Sequence, residues 1–395
     1  MTGLATTSRV GLRFRKEANW GVTPTTGNHK SLRLVSESLN FNIGTDSSKE
    51  IRSDRQTTDL IQISASAEGG FNFELSYGEY DPIFSSALQA DWVEAGTDGE
   101  STMTATFTTT ALTASAGTPF VNIEDGQWVS ISGAVNEANN GIKQVLTKTS
   151  SSILTFAAST FTAESGTANL KVSSARLKNG VTQSSFTIEK EFADIVQFIS
   201  YRGMMPSQMT LDVQSGSFAG GSFTFLGKDS AQAAVTVMPG TKGASLSYPV
   251  MNSVNNVSNI LENGAALANT FIKSLSLSLD NGLRGQDAIG VLGNVGIGNG
   301  NLNLSGSMDI YFADAALYQK FINNTDSSLS FRLSDSAGRG YVFTLPRIKY
   351  SNAQIVAGGM NQDVMVSLSW QAIRHPTSGT TIIIDRVGAA VALPI

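Results

Sequence analysis

The chain has 395 residues, enough to bury a sizeable core in two or three domains. Only 15% of them are charged and the formal net charge is −5, a balance that excludes a grip on nucleic acid through clustered Lys and Arg. There is no cysteine, which excludes disulfides and thiolate metal sites.

Beta-branched and aromatic residues alternate with Ser and Thr over many short runs, the pattern of half-buried strands, and long stretches of helical period are scarce. The fold class expected is mainly β. Met1 to Trp20 carries Arg9, Arg13, Arg15 and Lys16 but no apolar stretch of signal-peptide length. Thr381 to Ile384, the most apolar run, is too short to span a bilayer. The expectation is a chain that folds in the cytoplasm that makes it, with no membrane partner.

In chain order, residues 1–30 read as an N-terminal arm: Val10, Leu12 and Phe14 alternate, then Gly21-Val22-Thr23-Pro24 breaks the run. Leu32, Leu34, Leu39 and Phe41 lead to a polar loop, Gly44 to Glu50. Ile51-Arg52-Ser53-Asp54-Arg55 then leads to Leu60, Ile61 and Ile63, and on to Gly69-Gly70 and Phe71-x-Phe73-x-Leu75. A short helix is predicted from Asp81 to Leu88, with Asp81 as N-cap and Pro82 at its first position.

Residues 272–371 repeat this order. Ile272, Leu275, Leu277 and Leu279 form a strand, and Asp280-Asn281-Gly282-Leu283-Arg284 a turn. Gly290 to Gly300 form a glycine-rich loop, Gly306-x-Met308-x-Ile310 a strand, and Asp314 to Ile322 a capped helix. Ser185 to Ile188 answers Ser328 to Phe331. Met209-x-Leu211-x-Val213, Gly220-Gly221 and Phe223-x-Phe225 answer Ile348-x-Tyr350, Gly358-Gly359 and Val364 to Trp370. Matched order, helix and glycine pairs point to an internal duplication.

The expected organisation is therefore two tandem β-sandwich units, each with a short helix. The first is discontinuous, residues 31–94 and 178–231. An inserted small β domain, 95–177, rich in Ser, Thr and Ala, sits on one of its surface loops, with Asn139-Asn140-Gly141 as a turn signal. A linker, 232–270, leads to the second unit, 271–375, and a C-terminal arm, 376–395.

Catalytic chemistry is nearly absent from the sequence. His29 and His375, the only histidines, read as solvated turn residues, so His metal spacing and Ser–His nucleophiles are not supported. Glu189 and Glu191 share one strand face, as half of a glycosidase acid/base pair would, but read better as a solvated strand edge; Glu124-Asp125 reads as a turn. Gly293, Gly296, Gly298 and Gly300 lack the order of a phosphate loop, and so does Gly227-Lys228. The expectation is no enzyme, no catalytic or metal residue and no cofactor. More informative are two long loops, about 42–58 and 280–300, expected to lie against neighbouring subunits or rings through Gly44, Lys49, Ile51, Arg52, Arg55, Leu283 and Arg284.

Several stretches resemble the tail tube (major tail) proteins of long-tailed bacteriophages: Ser36 to Asn40, Ile51 to Gln56, Leu75 to Asp81, Asp280 to Arg284 and Pro346-Arg347-Ile348. The likeness covers both copies. It implies β-sandwiches whose inner sheets join into a continuous barrel around a channel, and rings stacked through loops and arms. A duplicated chain is similar to the variety in which homotrimeric rings are pseudo-hexameric. The implied partners are other copies of the chain, the tape measure protein and genomic DNA in the lumen, and tail terminator and distal tail proteins. Sequence-specific nucleic acid binding is not implied; the mildly acidic balance suits a surface past which DNA slides. The implied location is the tail of a non-contractile virion, assembled in the host cytoplasm, with the insert pointing outward. The competing reading, a carbohydrate-binding adhesin, fibre or capsid-decoration protein, lacks the tandem repeats or heptads of fibres. A β-sandwich hydrolase lacks a convergent acidic set.

Overall fold

The computed structural model describes residues 3–97, 102–238, 240–267 and 271–388, and it is mainly β with two short α-helices. The long elements are β1 (Val10–Lys16), β2 (Asn40–Ser47), β3 (Leu60–Glu74), α1 (Asp81–Ala87), β4 (Glu164–Lys178), β5 (Phe186–Phe192), β6 (Gln197–Gln214), β7 (Gly220–Gly227) and β8 (Asp229–Ala233). They continue as β9 (Val257–Glu262), β10 (Ile272–Asp280), β11 (Asn303–Tyr311), α2 (Ala316–Ile322), β12 (Ser327–Ser334), β13 (Gly340–Val356), β14 (Met365–Ala372) and β15 (Ile383–Val387).

One sheet runs through the centre in the order β2–β3–β7–β6–β10–β11–β14–β13, antiparallel throughout. Strict alternation fixes its faces. In β10, Leu275, Leu277 and Leu279 are buried, while Ser274, Ser276 and Ser278 point away from the core. Phe71, Phe73, Phe223, Leu211, Met308 and Leu368 bury the same face. Gly306 belongs to it too: a Cβ there would lie 2.1 Å from the Trp370 ring opposite, so only glycine admits the indole.

Two strands are long enough to serve two layers. β6 leaves the central sheet at its N-terminal end to pair with β5 and β8, and β13 does so to pair with β12 and β15. The outer layers are thus β1–β5–β6–β8 in the first half and β9–β12–β13–β15 in the second. The bends coincide. A β-bulge falls between Pro206 and Gln208 of β6 and between Tyr350 and Asn352 of β13. Each strand is bulged a second time where it pairs with the outer layer: Tyr201 to Met204 of β6 lies opposite Ile188 to Phe186 of β5, and Leu345 to Ile348 of β13 lies opposite Leu329 to Ser327 of β12. Bulges bend a strand and raise its twist, and here each pair turns one strand from one layer into the next.

These registers place residues at like positions in the two halves, and several differ from the sequence reading. Phe223 and Leu368 both face the central strand preceding the helix, at Phe71 and Met308. Met209 then corresponds to Ala353 rather than Ile348, because they pair with Phe223 and Leu368 respectively. Gly220 lies in β7, whereas Gly358 and Gly359 lie before β14.

The segments read as arms and linker contribute strands: β1 pairs β5, β9 pairs β12, and β15 lies between β13 and β4. Residues 389–395 of the expected C-terminal arm lie outside the described residues. The inserted region holds seven short strands besides β4 and its own core, which includes Phe107, Phe120, Ile131, Leu154 and Phe156. It is not isolated. Ser174 to Lys178 of β4 pair with Val387 to Ile383 of β15, so the insert extends the outer layer of the second half.

Three local readings are corrected. Asp81 is not a cap: Tyr80 is the N-cap residue, no side chain caps α1, and the Asp81 carboxylate accepts from Tyr341 and Arg386. His29 is no solvated turn; it is buried in a short strand, with Nε2 3.4 Å from Arg13. Glu189 is fully buried, on a strand with partners on both sides, where it accepts from Thr236 Oγ1 and the Val237 amide at 2.8 Å and pairs with Arg13 at 3.3 Å. The outer layers add β1 beside β5, which turns the expected edge into an interior strand.

Candidate assembly surfaces

The central sheet has one face in the core and one free of it. The free face carries Asn40, Asn42, Asn72, Ser222, Thr224, Gln208, Thr210, Gln214, Ser274, Ser276, Ser278, Ser305, Ser307, Ser367 and Ser369 at alternating, cross-strand-aligned positions. Five carboxylates stand among them: Glu68, Glu74, Asp212, Asp280 and Asp309. Against these it has Lys349, at the margin and 3.5 Å from Asp326, and Lys273 at a rim bulge. The polar groups are largely satisfied by each other. Gln208 donates to Asp280 at 2.9 Å, Ser274 and Ser367 donate to Asp309 at 2.8 and 2.6 Å, and Gln371 donates to Asn303 at 2.6 Å. Desolvation among the strands raises the Asp212 carboxyl above its ordinary value. Apolar side chains on this face are confined to Leu226 and to the Tyr311, Met365 and Val356 end, and its carboxylates repel phosphate within about a Debye length, roughly 8 Å at physiological salt.

The sheet also has two open edges. Among the described residues, β2 pairs only with β3, and the C-terminal half of β13 pairs only with β14. Ile355 on that edge points to the core side yet is 37% exposed, and Val356 is 42% exposed. Neither β2 nor the C-terminal half of β13 carries a proline; just before β2, Glu37 stands at a core-side position and is paired with Lys190 at 2.8 Å.

β2 and β3 run beyond the sheet as a two-stranded hairpin, paired to Ser47 and Leu60. Leu60, Ile61 and Ile63 are more than half exposed and Ile51 at the tip is wholly so. A lone hairpin gains little stability by itself, and apolar residues on it call for a partner surface. Exposed aromatics crowd the opposite end of the sheet: Phe218 before β7, Phe271 before β10 and Phe312 after β11, with Met360 before β14.

The structure places Gly44 in β2 and Lys49, Ile51, Arg52 and Arg55 in the hairpin tip. Arg52 pairs with Asp54 at 2.7 Å, which holds that carboxyl below its ordinary range, and Lys49 pairs with Asp46 at 3.3 Å. Leu283 and Arg284 lie elsewhere. Their loop is not merely flexible: Arg284–Gln286 pairs with Gly296–Gly298, and the loop folds onto the first half of the same chain. Asn281 Nδ2 donates to the Ala87 and Pro206 carbonyls at 2.9 and 3.0 Å, and Asn294 Nδ2 donates to Gly227 at 2.8 Å. Leu283 borders a groove with Asn40, Asn42 and Glu68 on the free face, and Gly44 borders another with Asp287 and Asn294.

Sequence reasoning named Phe41 in an alternating run and missed the edge residues Ala353 and Ile355, although alternation from Ile348 carried as far as Ile355 signalled a strand. It also missed a buried charged cluster joining both halves and the insert. Arg386 of β15 pairs with Asp81 of α1 at 2.5 Å and with Glu94, and its guanidinium lies 5.5 Å from the Trp92 ring. Burial alone would lower the Arg386 pKa; the charges of Asp81 and Glu94 raise it instead. Tyr341 donates to Asp81 and accepts from the Gly78 amide at 2.7 Å, and its burial beside Asp81 pushes the phenol pKa up. Asp385, next to Arg386, holds Arg176 of β4 at 2.7 Å.

Among the described residues no three His, Asp or Glu side chains are grouped to hold a metal, and no helix is long and apolar enough to cross a membrane. A family model described as phage tail tube protein matches residues 7–372. The chain belongs to that family. It is a structural component of the virion tail, its family is not an enzyme family, and tail tube proteins assemble with themselves into a tube. No curated protein matches the chain.

Proposed function

We propose that this tail tube protein forms homotrimeric rings that stack into the conduit for DNA ejection, with the free face of the central sheet as the channel wall. The observation that carries this is the pairing of that face with the open edges. A two-layer unit whose exposed sheet face is polar, acidic and internally hydrogen-bonded, yet whose edges are open, suits a closed barrel. The two halves act as equivalent modules, so three chains approximate six-fold symmetry.

Strand count supports three copies. Eight strands per chain, at about 4.8 Å spacing and a tilt of about 40°, give a backbone diameter of about 48 Å for three chains and about 32 Å for two. Side chains take about 10 Å of either, and only the wider ring leaves clearance for a hydrated duplex or a tape measure protein. Carboxylates without clustered cations keep the duplex mobile, since retention depends on phosphate neutralisation. The hairpin docks on the aromatic end of the next ring. Tail terminator and distal tail proteins cap the ends, and assembly takes place in the host cytoplasm. The insert, continuous with an outer layer, faces away from the channel.

Negative-stain microscopy of purified protein tests this. Hollow tubes or three-fold rings are expected; discrete solid particles at high concentration contradict it.

A further inference from the structure

The joint between the two halves within one chain specifies, residue by residue, the joint between chains. β6 ends the first half and pairs with β10, which begins the second: Gln208↔Asp280, Met209↔Leu279, Thr210↔Ser278, Leu211↔Leu277 and Asp212↔Ser276. The counterpart of β6 is β13, and the counterpart of β10 is β2 with the short strand Ser36–Glu37 that precedes it. Those are the two open edges.

Two independent registers make the transfer unambiguous. On one side, β6 against β7 matches β13 against β14 with its bulge in place, so Gln208, Thr210 and Leu211 correspond to Asn352, Gln354 and Ile355. On the other, β10 against β11 matches β2 against β3. Leu277 faces Gly306 and Leu279 faces Leu304; Phe41 faces Ala67, and Ser36 and Glu37 face Asn72 and Phe71. Asp280, Leu279, Ser278 and Leu277 thereby correspond to Asn42, Phe41, Asn40 and Leu39.

We infer that β13 of one chain pairs antiparallel with β2 of the next in the register Asn352↔Asn42, Ala353↔Phe41, Gln354↔Asn40 and Ile355↔Leu39. The occupant of each edge is a second copy of this chain, and the inference rests on the tube reading above. Burial agrees with it. On the β13 side Leu211 is 1% exposed in the internal joint, whereas its counterpart Ile355 is 37% exposed for want of the neighbour. On the other side Leu39 is already 4% exposed, its carbonyl accepting from Lys190 and Tyr201 and its amide donating to Glu37, so pairing there exchanges these bonds for ladder bonds. In the joint, Ile355 and Ala353 close over Leu39 and Phe41. On the channel side the pairs are amide to amide, with no like charges opposed, and the polar carpet continues across the seam. A shift of one residue would turn Ile355 into the channel and an asparagine into the core.

The absence of native cysteine makes the register directly testable. Cβ atoms directly across a ladder lie about 4.5–5.5 Å apart and diagonal ones about 7–8 Å, so disulfides form best at the direct pair. Asn40→Cys with Gln354→Cys, both on the polar face, is compared with Asn42→Cys with Gln354→Cys. Thr210→Cys with Ser278→Cys reports the same geometry within one chain. After oxidation of assembled tubes, the direct pair is expected to convert most subunits to covalent dimers and closed trimers on non-reducing gels, at least fivefold more than the diagonal pair. Tubes in which the diagonal pair links as well or better overturn the register while leaving the tube intact. Failure of the unmutated chain to form rings or tubes overturns both.

Discussion

Asp81→Ala tests the charged cluster that fastens the two halves into one subunit. Asp81 is 1% exposed and Arg386 3%. Removing the carboxylate leaves Arg386 with Glu94, whose side chain is 43% exposed and weakly compensating, and strips the acceptor from the Tyr341 hydroxyl. Breaking one partner of a buried pair costs about 3–5 kcal/mol, and the widowed hydroxyl adds to that only in part, because it still accepts from Gly78. Urea unfolding of the unpolymerised subunit, followed by tryptophan fluorescence, reports the change; Trp92 is a local probe because its indole donates to the Asp81 carbonyl at 2.9 Å. The expected loss is at least 3 kcal/mol. Asp81→Leu combined with Arg386→Met should recover most of it, since an apolar pair of similar volume replaces a buried ion pair at little cost. A single-variant loss below about 1 kcal/mol, or a double variant as unstable as the sum of its parts, would refute the reasoning.

The other predictions concern the insert and the hairpin. Glu164 accepts from the Thr167 hydroxyl, from the Asn136 and Val135 amides and from Asn139, and those bonds, the Thr167 one foremost, hold its pKa down to about 2. A depressed carboxyl stabilises above its unfolded pKa and loses that contribution as pH falls towards the folded one. The protection factors of the Val135 and Asn136 amides, relative to intrinsic exchange at each pH, should therefore fall between about pH 4.5 and 2, and in Glu164→Gln they should be low at neutral pH as well. Gly96 and Ser173 face each other in an antiparallel pair, so a two-residue Asn-Gly turn can replace residues 97–172; that chain is expected to form tubes visible by microscopy. Replacing residues 48–59 by Asn-Gly should leave rings that elute as trimers in size-exclusion chromatography but no longer stack. Full-length tubes from that variant would count against a role for the hairpin.

Much of this architecture was legible in the sequence because alternation is a strong signal wherever one face meets a core. The Leu275-Leu277-Leu279 run was read correctly as a strand with one buried face. Charged residues misled for one reason: Glu189, His29 and Asp81 look solvated in isolation and are buried by strands distant in sequence. β1 covers Glu189, and β15 delivers Arg386 to Asp81 from 305 residues away. Residue equivalence between the halves went astray because glycine pairs were aligned, whereas bulges and cross-strand partners set it. The second long loop showed no sign of folding back, since that depends on Asn281 and Asn294 finding carbonyls of the first half. Open edges cannot be read from one strand alone; they become visible only once every ladder has its partners.

An electron cryomicroscopy reconstruction of the assembled tube is expected to show three chains per ring, an unbroken antiparallel wall with Gln354 beside Asn40 of the neighbour, and Glu68, Asp280 and Asp309 facing the channel. A ring in which that sheet face lies against another protein surface or points to the exterior, or in which β2 and β13 remain apart, would contradict the proposed assembly.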